Sequence, residues 1–281
     1  MLNVEHLHFR YPNSESDTLK DLSFTMESGQ IFGFLGPSGS GKSTTQKILY
    51  KLLTGYEGRV LFAGKNLNEW GQDFYEKIGV CFELPNHYSK LSALENLAFF
   101  GAFYSKPLLN AMELLEMVGL EKDANKPVAD YSKGMKMRLN FARALLHQPE
   151  FLFLDEPTSG LDPIHAKRIK DIIRDQIAKG TSIFITTHNM FDADQLCDEV
   201  ALLHQGEIKA LDKPGELKRK YGQEVLALKL QNGESFRFPL QGLQENTAFQ
   251  TALSKDRVLE MHSLEASLED AFIQITGEGL L

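Results

Sequence analysis

The nine residues Gly36–Thr44, GPSGSGKST, constrain this chain more than any other stretch. They match the pattern G-x-x-x-x-G-K-[ST] at every fixed position, in the context where that pattern has a mechanical meaning. Upstream, GQIFGFLG (29–36) has the character of a buried strand. Downstream, KSTTQKILYKLL has helical spacing, with Thr54-Gly55 as its stop. A strand that breaks into glycines and then opens a helix can turn its backbone N–H groups onto one point. Gly36, Gly39 and Gly41 allow the chain to wrap closely around a phosphate chain, with Pro37, Ser38 and Ser40 between them. The helix that follows adds a positive dipole end, Lys42 a point charge, and Ser43 a hydroxyl for Mg²⁺; Thr44 completes the motif.

Around this loop the chain reads as an α/β protein. Residues 1–30 alternate as two paired strands with PNSESD as the turn, and GRVLFAGKNL returns to strand. From Ser92 the period changes: SALENLAFFGAFY and LLNAMELLEMVGL are helical, and a third helix follows YSKGM and ends before Pro149. Strand FLFLD, helix DPIHAKRIKDIIRDQIAKG, strand SIFITTH, helix MFDADQLCD and strand VALLHQG then alternate as a parallel unit does. A helical block is therefore inserted in a sheet domain. Its aromatic stripe Phe99, Phe100, Phe103 and Tyr104 is expected in the core of that block, any exposed part offering a groove to a partner helix. After DKPGELKRKYG the composition shifts. A hairpin at Asn232-Gly233, a helix, a strand near RVLEMHS and a helix near SLEDAFIQIT make a small α+β appendage. The division expected is a nucleotide-binding domain over 1–217, its helical part at about 86–147, and an extension over 218–281.

FLFLDEP (151–157) supplies the second half of a phosphate site. Four apolar residues bury a strand that presents Asp155 at its tip, placed for the water shell of Mg²⁺, and Glu156 beside it can act as general base toward water. Many buried strands end in an acid; next to a complete phosphate loop the pairing becomes specific.

The stretch YSKGMKMRLNFARALLHQPEFLFLDEPTSGLDP resembles the core of ATP-binding-cassette (ABC) ATPases, especially those of bacterial multidrug and ABC-2-type exporters. The resemblance follows the family's motif order over roughly 1–220. It implies a P-loop NTPase fold of ABC type: an antiparallel β subdomain, a RecA-like core and an inserted helical subdomain. The family's signature falls on Ser132, Lys133, Gly134 and Met135, its D-loop on Ser159, Gly160, Leu161 and Asp162, and its switch histidine on His188. Tyr11 matches the adenine-stacking aromatic, with packing beside the turn as the lesser alternative. The resemblance implies two cassettes, as a homo- or heterodimer, with each ATP buried between the loop of one and the signature of the other. It implies also a separate transmembrane permease. The closing SLEASLEDAFIQITG looks like the extension of drug- and antibiotic-exporter ATPases, and IGVCFELPNHY like that of fluoroquinolone exporters.

Two departures from the family pattern stand out. Lys133 replaces a common glycine and Met135 a common glutamine, while Met137 fills an often polar position; Ser132 and Gly134 remain. The family's glutamine at the strand end that leads into the helical block falls on Glu83. There a carboxylate can accept from metal-bound water, at the cost of repulsion toward phosphate oxygens, or it can turn to solvent.

Composition narrows the remaining choices. A net charge of −8 argues against a nucleic-acid surface. The N-terminus lacks signal-peptide blocks and no run has membrane length. The expected place is therefore the cytoplasm, peripheral on the inner face of the membrane through the permease. Cys81 and Cys197 read as reduced core residues, and His6, His8, His87, His147, His165 and His204 lack ligand spacing. A GTPase fails because Asn125-Lys126 is followed by Pro127 and Val128 where an aspartate is needed. A soluble mechanical or repair ATPase remains the rival. It is opposed by the lack of a coiled-coil insertion, zinc cysteines or a second cassette.

Overall fold

The computed structural model describes residues 1–12, 14–222 and 224–278. Its centre is a six-stranded sheet in the order β10-β9-β3-β8-β7-β6. The strands are β3 (Ile31–Leu35), β6 (Ile78–Cys81), β7 (Phe151–Asp155), β8 (Ser182–Thr187), β9 (Glu199–His204) and β10 (Glu207–Asp212). All run parallel except β10, which pairs antiparallel to β9 at one edge. Both faces of this sheet are covered, and the sequence sorts its side chains accordingly. Phe32, Phe34, Phe151, Phe153 and Phe184 point to one side, whereas Ile31, Leu35, Leu152, Leu154, Ile183 and Ile185 point to the other.

The phenylalanine face packs on a second, antiparallel sheet in the order β2-β1-β4-β5: β1 (Leu2–Phe9), β2 (Leu19–Met26), β4 (Glu57–Phe62) and β5 (Lys65–Asn66). Phe24 of β2 lies 5.0–6.0 Å, ring to ring, from Phe32, Phe34 and Phe184. Helix α1 (Lys42–Leu49) contributes Ile48 and Leu49 to the same core. It ends before the Thr54-Gly55 stop read from the sequence. Lys51 turns left-handed at φ 63°, and the N–H groups of Leu52 and Leu53 both return to the Lys47 carbonyl, closing the helix early.

The aliphatic face carries the helical block: α2 (Ala93–Gly101), α3 (Ala111–Met117) and α4 (Lys133–Leu145), with α5 (Pro163–Ala178) and α6 (Met190–Leu196). Ser92 and Glu95 form a capping box on α2, and Asn110 caps α3, so the second helical run starts later than its apolar pattern. The aromatic stripe is only partly core. Phe103 is 70% exposed and Phe99 39%, lying edge-on to one another at 5.5 Å.

Beyond α7 (Pro214–Tyr221), strands β11 (Val225–Leu230), β12 (Ser235–Pro239) and β13 (Val258–Leu264) form a separate three-stranded sheet under α8 (Thr247–Lys255). Helix α9 (Leu268–Thr276) returns to the main body, where Leu268 and Phe272 join Leu217, Met190 and Leu196 in one apolar cluster.

Candidate functional site

The parallel register sets the site. Leu35 pairs with Thr187, Asp155 with Thr186 and Cys81 with Leu154, so Gly36, Asp155, His188 and Glu83 all leave the sheet at its carboxyl edge.

The phosphate loop joins β3 to α1. Gly41, at φ 110°, precedes the helix and no side chain caps its first turn, which leaves those N–H groups free for an anion. Gly36 approaches the neighbouring strand so closely that a Cβ there would sit 2.1 Å from the Leu203 carbonyl oxygen. The Ser40 hydroxyl is buried without a partner among the described residues. Lys42 is buried, and its Nζ donates to the carbonyls of Gly36 at 2.7 Å and Pro37 at 2.8 Å. Burial lowers its pKa, opposed by the nearby charges of Glu156, Asp155 and Glu83. With the loop's own carbonyls as partners, the ammonium is held over the cradle that its helix opens. Tyr11 sits at the loop's outer side. Its hydroxyl is 3.2 Å from Thr44 Oγ1, and its ring, edge-on to Phe9, is 37% exposed.

Asp155 and Glu156 are 8% and 6% exposed. Burial raises the Asp155 pKa; the Thr186 hydroxyl, donating to Oδ1, opposes this, and the charges of Glu83 and Glu156 add to the rise. Glu156 turns left-handed at φ 49°, an uncommon conformation for a glutamate, and its N–H bonds to the Thr186 carbonyl. One of its oxygens accepts from the His188 N–H at 2.8 Å and lies 2.7 Å from the His188 ring Nδ1. The other accepts from the Thr187 hydroxyl at 2.8 Å. Thr186 and Thr187 escaped the sequence reading. The signal was the TTH run, two hydroxyls just before a histidine at a strand end, each aligned with one of the two acids.

Glu83 lies two residues beyond the last residue of β6, exposed, on the wall of a groove of about 830 Å³ that also reaches Ser43 and Asp155. Its loop is fastened to α4. Asn140 donates to the Phe82 carbonyl at 2.7 Å, Arg143 to that of Asn86 at 2.7 Å, and the His87 ring Nε2 lies 3.0 Å from that of Lys136. Burial lowers the His87 pKa to about 4, so the ring is neutral and donates in that contact.

The remaining motifs are the signature, at the start of α4, and the D-loop. The D-loop follows closely on Glu156, Ser159 N donating to the Glu156 carbonyl at 3.0 Å. Ser132 is exposed and caps α4, its hydroxyl accepting from Met135 N at 3.2 Å. Asp162 is exposed and caps α5 through the N–H groups of Ile164 and His165, with His165 Nδ1 2.5 Å from its second oxygen. The two motifs touch each other. Lys133 lies over Gly160, and a Cβ on Gly134 would be 3.5 Å from the Gly160 carbonyl and from Leu161.

The description "ABC transporter" matches residues 19–159, half of the chain, from β2 to the segment after β7. The chain belongs to the ABC transporter family. A fluoroquinolones export ATP-binding protein of Mycobacterium tuberculosis is 49% identical over 284 aligned residues, 100% of this chain and 94% of that protein. Nod factor export ATP-binding protein I of Ralstonia nicotianae is 33% identical, over 99% and 94%. A dimeric ATP-binding cassette solved in a post-hydrolysis state with ADP and Pi has a TM-score of 0.69 at 28% identity, over 76% of this chain and 98% of that one. This ABC subunit is therefore an ATP-binding protein and an ATPase. Among its described residues no helix is long and apolar enough to cross a membrane.

Proposed function

We propose that this ABC subunit hydrolyses ATP as one half of a dimer and powers a separate permease that exports a drug or another small amphipathic compound. The observation that carries it is the convergence of the phosphate loop, Asp155 and Glu156 at one sheet edge, with Glu156 held by His188. Glu156 takes the proton of a water that attacks the γ-phosphorus, and ADP departs as the P–O bond to its β-phosphate breaks. His188 contacts the γ-phosphate and fixes that water through Glu156. Tyr11 stacks on the adenine.

Mg²⁺ fits the residues present. Among the described residues no cluster of three His, Cys, Asp or Glu side chains could hold a metal alone. A hydroxyl and a carboxylate beside a phosphate cradle, however, are what an octahedral hard cation takes from protein. Ser43 and Asp155 would hold it with Glu83 at the edge, and when bound it neutralises charge on the phosphates.

Ser132 with Lys133, Gly134 and Met135, and the D-loop Ser159–Asp162, act on the ATP of the other subunit. The exposure of Ser132, Lys133, Gly160 and Asp162 supports that role. The groove beside Glu83, bordered by Leu52, Phe82, Leu84, Tyr88 and Phe100, receives a helix of the permease, which places the ABC subunit on the cytoplasmic face of the membrane. Residues 218–281 act as a small extension of the 1–217 nucleotide-binding domain, and the likeness to the M. tuberculosis exporter along the whole chain points to fluoroquinolone-like cargo.

Glu156→Gln is the test. It should keep ATP binding, lower turnover about 10²-fold or more, and yield an ATP-dependent dimer on size-exclusion chromatography. Turnover equal to that of the parent chain sinks the assignment of the base. Cargo is read separately, by fluoroquinolone accumulation in cells with and without the subunit and its co-purifying permease.

A further inference from the structure

Asp192 belongs to none of the motifs above, yet it is buried and both of its carboxylate oxygens are used. Lys170 of α5 donates to Oδ1 at 2.8 Å. The Thr158 hydroxyl donates to Oδ2 at 2.7 Å, and the Asn189 amide to the same oxygen at 3.2 Å. Asn189 Oδ1 accepts in return from the Asp192 N–H at 3.1 Å, capping α6.

The three partners come from three different segments. Asn189 directly follows His188. Thr158 stands between Glu156 and the D-loop, with Ser159 N bonding to the Glu156 carbonyl and Leu161 N to that of Thr158. Lys170 rises from the helix that Asp162 caps. Asp192 thus joins the turn carrying the switch histidine to the turn that ends in the D-loop. The D-loop in turn touches the signature of the same chain at Gly134 and Lys133. A buried carboxylate cannot trade such partners for water at low cost, so a shift of one turn is passed to the other rather than absorbed between them.

We propose that Asp192 is a positioning residue that couples the γ-phosphate end of the site to the D-loop, so that the state of one ATP reaches the surface facing the second subunit. This rests on the roles proposed above for Glu156, His188 and the D-loop.

The test uses the purified chain, two disrupting variants, a rescue variant and a Glu156→Gln background. Thr158→Val removes a donor while keeping its shape. Asp192→Asn keeps an acceptor for Thr158 and Asn189 and removes the charge facing Lys170. ATP affinity of the isolated chain should stay within about twofold, because the phosphate loop is untouched. Maximal turnover should fall by about tenfold, and in a Glu156→Gln background the ATP concentration giving half-maximal dimer should rise by about the same factor. Thr158→Ser, which restores the hydroxyl, should recover both. Unchanged turnover and dimerisation in Thr158→Val and Asp192→Asn overturn the proposal. Losses that track ATP affinity or Tm, or that Thr158→Ser fails to recover, also overturn it by reducing Asp192 to a structural brace. Failure of the base assignment shows elsewhere, as turnover by Glu156→Gln in the otherwise unaltered chain.

Discussion

His188 holds the Glu156 carboxylate at two points, with ring Nδ1 at 2.7 Å and its own N–H at 2.8 Å from the same oxygen. The pairing locks a buried acid that already sits in a left-handed conformation, and Thr187 fixes its second oxygen. The ring itself is mostly exposed, its side chain 58% accessible against 8% for Glu156. One face of this pair is therefore built into the sheet edge and the other is open to a nucleotide.

Removing the ring should separate these two contributions. In His188→Ala the backbone N–H and Thr187 still hold Glu156, so the acid stays placed while the contact to γ-phosphate is lost. Turnover should drop by about 10²-fold with ATP affinity unchanged, measured by steady-state hydrolysis beside equilibrium binding. A tenfold or greater loss of affinity would instead put His188 in ground-state binding.

Tyr11 is tested by its ring and its hydroxyl in turn. Tyr11→Phe loses the contact to Thr44 and keeps the stacking face; Tyr11→Ala loses both. If the ring stacks on adenine, Tyr11→Ala should weaken ATP binding by about tenfold and Tyr11→Phe by much less. GTP or a base-free triphosphate should lose its difference from ATP in the alanine variant. Equal affinities for all three chains make Tyr11 a packing residue beside Phe9.

What the sequence disclosed here is what lies close together along it. The phosphate loop is a strand, a turn and a helix in immediate succession, so its glycines and Lys42 were legible from spacing. The apolar run ending in Asp155 and Glu156 was legible for the same reason. The contacts that orient those acids were not. Thr186 and Thr187 meet them only through the pairing of β7 with β8, across some thirty intervening residues. The return of α9 was hidden likewise. The spacing of Leu268 and Phe272 shows an apolar face, but not that Leu217, Met190 and Leu196 complete it.

Gly79 offers a stability test away from ATP. It lies in β6 where α4 crosses, and a Cβ would meet the Ala144 carbonyl oxygen at 2.2 Å, Leu152 at 2.8 Å and Pro149 at 2.9 Å. A backbone oxygen cannot step aside as a side chain can. Gly79→Ala should cost about 1–3 kcal/mol, lowering Tm by roughly 2–4 °C for each kcal/mol in a chain of this size. Scanning calorimetry reads the shift; an unmoved Tm means that β6 and α4 separate more easily than their packing implies.

Glu83 is the position where charge can be read most directly. Burial, followed by the charges of Glu83 and Glu156, lifts the Asp155 pKa above the usual carboxylate value. As pH falls through that raised value Asp155 takes up a proton and loses its hold on a cation, which sets an acid limb for hydrolysis. Glu83→Gln removes one of the repelling charges, so Asp155 should stay ionised further down and the acid limb should move to lower pH. Lys42 responds with the opposite consequence. Burial already lowers its pKa, and Glu83 is one of the charges that hold the ammonium form. Without it, Lys42 gives up its proton at a lower pH and the alkaline limb moves down as well. A pH profile of turnover at saturating ATP and Mg²⁺ should therefore shift to the acid side at both ends. Two unmoved limbs would show a carboxylate turned to solvent, too well screened to be felt at either partner.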